Sequence, residues 1–218
     1  MQFLAENASI RVPKVYCSFV YGNQAYIVME RLPGTDLDRV WHTLSEAQLE
    51  DILAQLRRLL DELRALSPPS GTRVQSCAGS SLRDFRIPHC RPRMGPFETI
   101  QAFHLWLRRG LRPQEHPEMD QHYEGIGEMA AKQDGPWPPP VFTHADLNPS
   151  NIMVDGDKVV GIIDWETSGW YPHYWEYTSA WYGNRIRPAW QDVIPKFLQP
   201  YPEELKMEIL RQKWWGDF

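Results

Sequence analysis

A histidine, an aspartate and an asparagine stand close together in His144-Ala-Asp146-Leu-Asn-Pro-Ser-Asn151, and a further carboxylate, Asp164, follows thirteen residues after Asn151. Phosphoryl transfer asks little covalent chemistry of a protein. It needs an acceptor hydroxyl oriented by a carboxylate, and metal ions that bridge the nucleotide phosphates. Asp146 has the type and place for the first task. Asn151 offers an amide oxygen and Asp164 a carboxylate, the hard donors that Mg2+ takes while waters and phosphate oxygens keep its other positions. His144 belongs with the catalytic group as a hydrogen-bonding neighbour of Asp146 rather than as a metal ligand.

His-x-Asp-x4-Asn is a weak signal alone, because Asp, Asn, Pro and Ser are ordinary turn residues. The elements around it supply the weight. Gly135-Pro-Trp-Pro-Pro-Pro140 is a stiff polyproline-like connector into the short apolar run Val141-Phe142-Thr143, which reads as a strand ending at the motif. Residues 151–164 read as a hairpin: Asn151-Ile-Met-Val154, a tight Asp155-Gly156 turn, then Val159 to Ile163 delivering Asp164. That order is the layout of a kinase catalytic loop followed by its metal-binding aspartate.

Earlier in the chain, Gln2 to Asn7 reads as the last turn of a helix, and Val15 to Val20 with Ala25 to Met29 as two strands around Gly22-Asn23. After the Pro33-Gly34 turn, Ser45-x-x-Gln48 opens a helix as a capping box. Leu49, Ile52, Leu53, Leu56, Leu59, Leu60, Leu63 and Leu66 form its one apolar face, a core face. Pro68-Pro69 stops it. Residues 70–96 read as a long ordered loop, Phe97 to Arg109 as a second helix, and Glu203 to Trp214 as a third. The segment after Asp164 is dense in aromatic residues. Glu166, Trp170, Trp175 and Glu176 are the candidates there for an acceptor pocket, since rings and carboxylates hold cations and flat groups; the competing reading is core. His42, His104 and His122 are expected to be partly exposed helix residues.

The chain has 218 residues, 42% hydrophobic and 23% charged, with 10 Trp, 9 Tyr and 8 Phe, which excludes wholesale disorder. A net charge of -5 and the lack of a basic cluster argue against nucleic acid as a partner. The cysteines are Cys17, Cys77 and Cys90, without Cys-x-x-Cys spacing, so reduced thiols are expected and structural zinc is not. No apolar run approaches a membrane span and the N-terminus does not read as a signal peptide, so a soluble cytoplasmic protein is expected.

The sequence resembles the aminoglycoside phosphotransferase-like kinases, particularly their fungal branch. The resemblance runs through Phe3-Leu-Ala-Glu-Asn7 and Val12-Pro-Lys-Val15, then Tyr26-Ile-Val-Met-Glu-Arg-Leu-Pro-Gly34, then Met94-Gly-Pro-Phe97 to Trp106-Leu107. It is most specific in Phe142-Thr-His-Ala-Asp-Leu-Asn-Pro-Ser-Asn-Ile-Met-Val154 and Gly161-Ile-Ile-Asp-Trp-Glu166. It implies an α+β, protein-kinase-like fold in two parts. Residues 1–34 would be the remnant of an N-terminal lobe with short antiparallel strands, plus the hinge; residues 35–218 would be a mainly helical catalytic lobe. It further implies Asp146 as catalytic base, Asn151 and Asp164 as ligands of Mg2+, and the Glu30 to Leu32 backbone as the adenine hinge for ATP. The activity implied is ATP- and Mg-dependent phosphorylation of a hydroxyl on a small molecule.

Two features depart from the family pattern. Ala145 stands where the family usually has Gly, and Ser150 where it often has a basic residue. The family also has further strands before the position of Met1, carrying the glycine-rich phosphate cover and a lysine; Lys14 is the only lysine in the first 131 residues and does not occupy that place. Three readings therefore stand: a piece or truncated form of a small-molecule kinase, a kinase-derived protein repurposed for another reaction, or a noncatalytic binding protein. A strand edge left uncovered by a short N-terminal lobe predicts a homodimer through that lobe, or aggregation.

Overall fold

The computed structural model describes residues 1–87, 93–115 and 124–216. The chain opens with helix α1 (Gln2–Asn7), whose Leu4 is buried, and a hairpin of β1 (Val15–Tyr21) and β2 (Gln24–Met29). Gly22 and Asn23 both take left-handed backbone angles, φ 56° and 63°, as a tight two-residue hairpin turn requires. Every residue of both strands is exposed.

The chain then enters the larger part of the molecule. Gly34, at φ 81°, passes so close to the next sheet that a Cβ would lie 2.1 Å from the Val154 carbonyl oxygen, so only glycine fits the Pro33-Gly34 turn. That sheet is antiparallel, in the order β3 (Thr35–Asp36), β6 (Ile152–Asp155), β7 (Lys158–Ile162). Asp36 caps the short α2 (Leu37–Val40).

Ser45 and Gln48 form the expected capping box of α3 (Glu46–Arg64). Ile52, Leu53, Leu56, Leu60 and Leu63 on its apolar face are buried in one core cluster with Phe142, Ile152, Ile162, Trp165 and Trp170. Gln55 ties the same helix to the hairpin, donating to the Asp157 carbonyl at 2.7 Å and accepting from Val159 N at 3.0 Å.

The stretch 70–96 is ordered over its described residues. Bridges pair Val74 with Phe97 and Leu82 with Met94, and β4 (Gln75–Ser76) is the edge of a third sheet in the order β4, β8 (Gly169–Tyr171), β5 (Val141–Thr143). The second helix begins later than its apolar pattern implies. Phe97 is held in its bridge and Thr99 caps α4 (Ile100–Leu107) through the Ala102 amide at 3.0 Å. Helix α5 (Ile126–Asp134) leads to the polyproline connector, and α6 (Trp175–Gly183), α7 (Pro188–Phe197) and α8 (Pro202–Trp215) complete the chain.

A second core cluster joins Val74, Leu82, Phe103, Tyr171, Tyr174, Trp175 and Met207. His104 corrects one expectation: it is fully buried, its ring nitrogens 2.9 Å from the Gln133 carbonyl and 2.6 Å from the Tyr174 hydroxyl. His42 is exposed on a 3-10 turn, and His122 lies outside the described residues, as does Cys90; Cys17 and Cys77 are free and exposed. Among the described residues no helix is long and apolar enough to cross a membrane.

Candidate active site

Strand β5 ends at Thr143, and the next eight residues turn back on themselves through side-chain hydrogen bonds. Asn151 Nδ2 donates to the Asp146 carbonyl at 2.9 Å and to its carboxylate at 3.0 Å; Asn148 Nδ2 reaches the same carbonyl at 3.2 Å. Asn148 also accepts from Ser150 N at 3.0 Å, starting the 3-10 turn Pro149–Asn151 that leads into β6. These short polar side chains replace a backbone ladder that a tight loop cannot form. With Nδ2 spent on Asp146, Asn151 keeps its Oδ1, to which no described residue donates.

His144 ties this loop to the strand that carries Asp164. Its Nε2 donates to the Ile163 carbonyl at 2.9 Å, and its Nδ1 accepts the Asp146 N–H at 3.2 Å. Both ring nitrogens are engaged in a fully buried place, and burial pushes the imidazole down to about 4, so it is neutral at pH 7. His144 thus positions the residue next to it. Asn151 completes the tie from the other side, its carbonyl accepting from Ile163 N at 2.9 Å.

Asp146 is partly buried, and burial pushes its carboxyl up to about 6. The carboxylates of Asp164 and Asp84 act in the same direction, while the hydrogen bonds from Asn151 and Asn148 oppose them. Asp164 is exposed at the end of β7 with φ 62° and ψ 62°, a left-handed conformation that turns it out of the strand line. Ala145 is left-handed as well, at φ 67°. For a residue with a Cβ this costs on the order of 1 kcal/mol.

Asp164 opens onto a cavity of about 850 Å³. Its lining is largely apolar, including Ile27, Met29, Leu32, Met153 and Ile163, with Glu30 among them. The segment 30–32 is fixed there: Glu30 N donates to the Lys14 carbonyl at 2.8 Å, and the Arg11 guanidinium holds the Glu30 carboxyl below its ordinary range. Gly161 lets this segment pack on β7, since a Cβ would meet Leu32 at 2.5 Å. Asn151 Oδ1 and the Asp164 carboxylate are hard oxygen donors of the kind Mg2+ takes. Among the described residues there is no cluster of three His, Cys, Asp or Glu of the sort that holds a metal through protein ligands alone.

The structure brings His144, Asp146, Asn151 and Asp164 together, and Glu30 and Leu32 line the same cavity as Asp164. It does not make an acceptor pocket of the aromatic segment. Trp170 and Trp175 are buried in the two core clusters, and Glu176 is 2% exposed with both carboxylate oxygens taken by the amides of His144 (2.6 Å) and Ala145 (3.0 Å). Only Glu166 faces the cavity, half exposed and paired with Arg83 at 2.8 Å. Sequence reasoning missed the loop that faces it. Asp84 is buried between Arg86 (2.7 Å) and Trp175 Nε1 (3.1 Å), close enough to act on Asp146. No periodic pattern marks residues 83–86, so the sequence carries no signal for them.

A mixed α+β molecule with an apolar cavity lined by Asp164, and Asp146 and Asn151 next to that carboxylate, is the architecture of a kinase-like phosphotransferase. The comparisons agree: the model of the phosphotransferase enzyme family (APH) matches residues 1–208, and the chain belongs to that family. Among solved structures, the streptomycin-ATP-APH(2")-IIa ternary complex is 16% identical with a TM-score of 0.58, covering 98% of this chain and 69% of that one. The gentamicin-APH(2")-IIa complex gives 15%, 0.57, 98% and 69%, and the aminoglycoside phosphotransferase APH(4)-Ia 15%, 0.53, 96% and 70%. At these identities the likeness is one of fold. No curated protein matches the chain.

Proposed function

We propose that this chain transfers the terminal phosphoryl group of ATP, with Mg2+, to a hydroxyl of a small molecule. The observation that carries the reading is that Asp164 lines the apolar cavity together with Glu30 and Leu32, while Asp146, bonded to Asn151 at 3.0 Å, lies close enough to Asp164 to be raised by its charge. In this reading residues 1–34 serve as N-terminal lobe and hinge, and residues 35–218 as the catalytic lobe. The adenine ring fits between Ile27, Met29 and Leu32 on one side and Met153 and Ile163 on the other, with the backbone of Glu30 and Leu32 at its edge.

Asn151 Oδ1 and the Asp164 carboxylate would hold Mg2+, which when bound neutralises charge on the phosphates. Asp146 orients the acceptor hydroxyl and takes its proton as the new O–P bond forms and ADP leaves. A carboxyl near 6 is ionised at pH 7 yet more basic than an ordinary aspartate, which suits a general base. Glu166 borders the cavity on the side open to the acceptor. The structural neighbours are complexes with streptomycin and gentamicin; for this chain the acceptor class is a hydroxyl-bearing small molecule.

Titration of the 218-residue chain with ATP, with and without Mg2+, tests the reading. Micromolar binding that requires Mg2+ and is lost in Asp164→Ala is expected. Affinity that is the same with and without the metal would overturn it and favour a cleft used for ligand binding alone.

A further inference from the structure

From Leu82 to Phe85 the chain alternates between core and solvent: Leu82 and Asp84 are buried, while Arg83 and Phe85 are exposed, Phe85 at 50%. The bridge that pairs Leu82 with Met94 sets Arg93 opposite Arg83, and both lie on the face away from those two buried side chains. This face adjoins the candidate site. Arg83 reaches Glu166, which lines the cavity with Asp164, at 2.8 Å, and its carbonyl accepts from the Tyr171 hydroxyl at 3.3 Å. Asp84, on the same segment, is close enough to Asp146 to act on it. The charges here do not cancel. The Arg83 guanidinium lies 5.0 Å from the Phe85 ring centroid and pairs with Glu166, whereas Arg93 bonds only to the neutral oxygens of Ser81, at 2.8 and 2.9 Å. Two guanidiniums thus share one carboxylate. The other carboxylates around Asp146 are engaged, Asp84 by Arg86 and Trp175, Glu176 by the amides of His144 and Ala145. Among the described residues beside Asp146, only Asp164, the proposed ligand of Mg2+, is left to receive a positive group.

We propose that Arg83, Arg93 and Phe85 form the acceptor-recognition face of this site, and that the acceptor is a hydroxyl-bearing aromatic acid rather than a polyamine. The acceptor's carboxylate pairs with the guanidiniums and its ring packs on Phe85. This rests on the reading of Asp146 as the base that faces the acceptor. The acceptor hydroxyl forms the O–P bond as the bond to ADP breaks, its proton passes to Asp146, and the carboxylate takes no part in the chemistry. A guanidinium fork matches a carboxylate with two parallel bonds, and an exposed ring takes a second ring by stacking. The same two guanidiniums repel an ammonium group, so charge selects against one acceptor class as well as for another.

Acceptors of one shape and different charge test this: para-hydroxymethylbenzoate, para-methylbenzyl alcohol and para-aminomethylbenzyl alcohol carry a carboxylate, a methyl and an ammonium group at the same position. With MgATP and the full chain, kcat/KM should be highest for the benzoate, by about tenfold or more over the methyl compound, and lowest for the ammonium compound. Arg83→Gln with Arg93→Gln should abolish that ratio, and Arg83→Glu with Arg93→Glu should invert it in favour of the ammonium compound. The ratio is the readout because a loop that merely unfolds lowers all the rates alike. Equal rates in the wild type, a preference for the ammonium compound, or a benzoate preference that survives both double variants would overturn the proposal. If phosphate moves to none of the compounds, the transfer reading fails, and equilibrium titration of each against the MgADP-loaded chain decides the acceptor face separately. Benzoate binding that exceeds that of the other compounds and is lost in Arg83→Gln with Arg93→Gln supports that face; benzoate binding that is absent, or indifferent to those substitutions, overturns it.

Discussion

The imidazole Nε2 of His144 donates to the Ile163 carbonyl at 2.9 Å, linking the residue two before Asp146 to the residue one before Asp164. The two carboxylates thus share one rigid support, although the hairpin of β6 and β7 separates them in sequence. Because Nδ1 accepts the Asp146 N–H at the same time, the buried imidazole is neutral.

Stability should therefore fall in mild acid. Burial pushes both His144 and His104 down to about 4 from an ordinary 6.5, so the unfolded chain binds these protons more readily than the folded one. The stabilisation is complete above pH 6.5 and is lost as pH falls toward 4, on the order of 3 kcal/mol for each histidine. Urea unfolding between pH 7 and 4.5 should show this slope, and His104→Gln should reduce it by about one proton. A flat profile would contradict the neutral assignment.

Trp175 belongs to the core. Its ring lies parallel to Tyr171 with centroids 5.6 Å apart, the Arg86 guanidinium sits 4.3 Å from its centroid, and its Nε1 donates to Asp84. Trp175→Ala should cost about 3–5 kcal/mol of folding stability. A small stability change with a raised KM for the acceptor would instead restore the pocket reading.

What was readable in the sequence follows from local rules. The Ser45 capping box, the leucine face of α3 and the hairpin between Asn151 and Asp164 each depend on near neighbours along the chain, and each is found in the structure, the hairpin turn falling one residue later than expected, on Gly156 and Asp157 between the paired Asp155 and Lys158. Spacing alone does not separate core from pocket for Glu176, Trp170 and Trp175, nor an exposed from a buried His104, because a buried side chain and a pocket wall recur at the same spacing along an element. Only the partner across the fold distinguishes them: the amides of the catalytic loop for Glu176, Tyr174 for His104. The left-handed angle of Ala145 is a property of the folded loop that the residue type does not announce.

The β1–β2 hairpin should drive association. Its apolar side chains are exposed on both faces, Val20 at 73% and Tyr21 at 75%, and exposed apolar strands recruit partners. Light scattering at micromolar concentration should detect a dimer or larger species, reduced by Val20→Lys with Tyr21→Lys. A clean monomer would show that the hairpin is self-sufficient.

The central claim is that Asp146 accepts the proton of the attacking hydroxyl. The direct measurement is the rate of ADP formation from MgATP by the wild type and by Asp146→Asn, with circular dichroism confirming that both fold. A fall of more than about a hundredfold is expected, since general-base assistance is worth 10²- to 10⁴-fold. Equal rates in the two proteins would contradict the assignment.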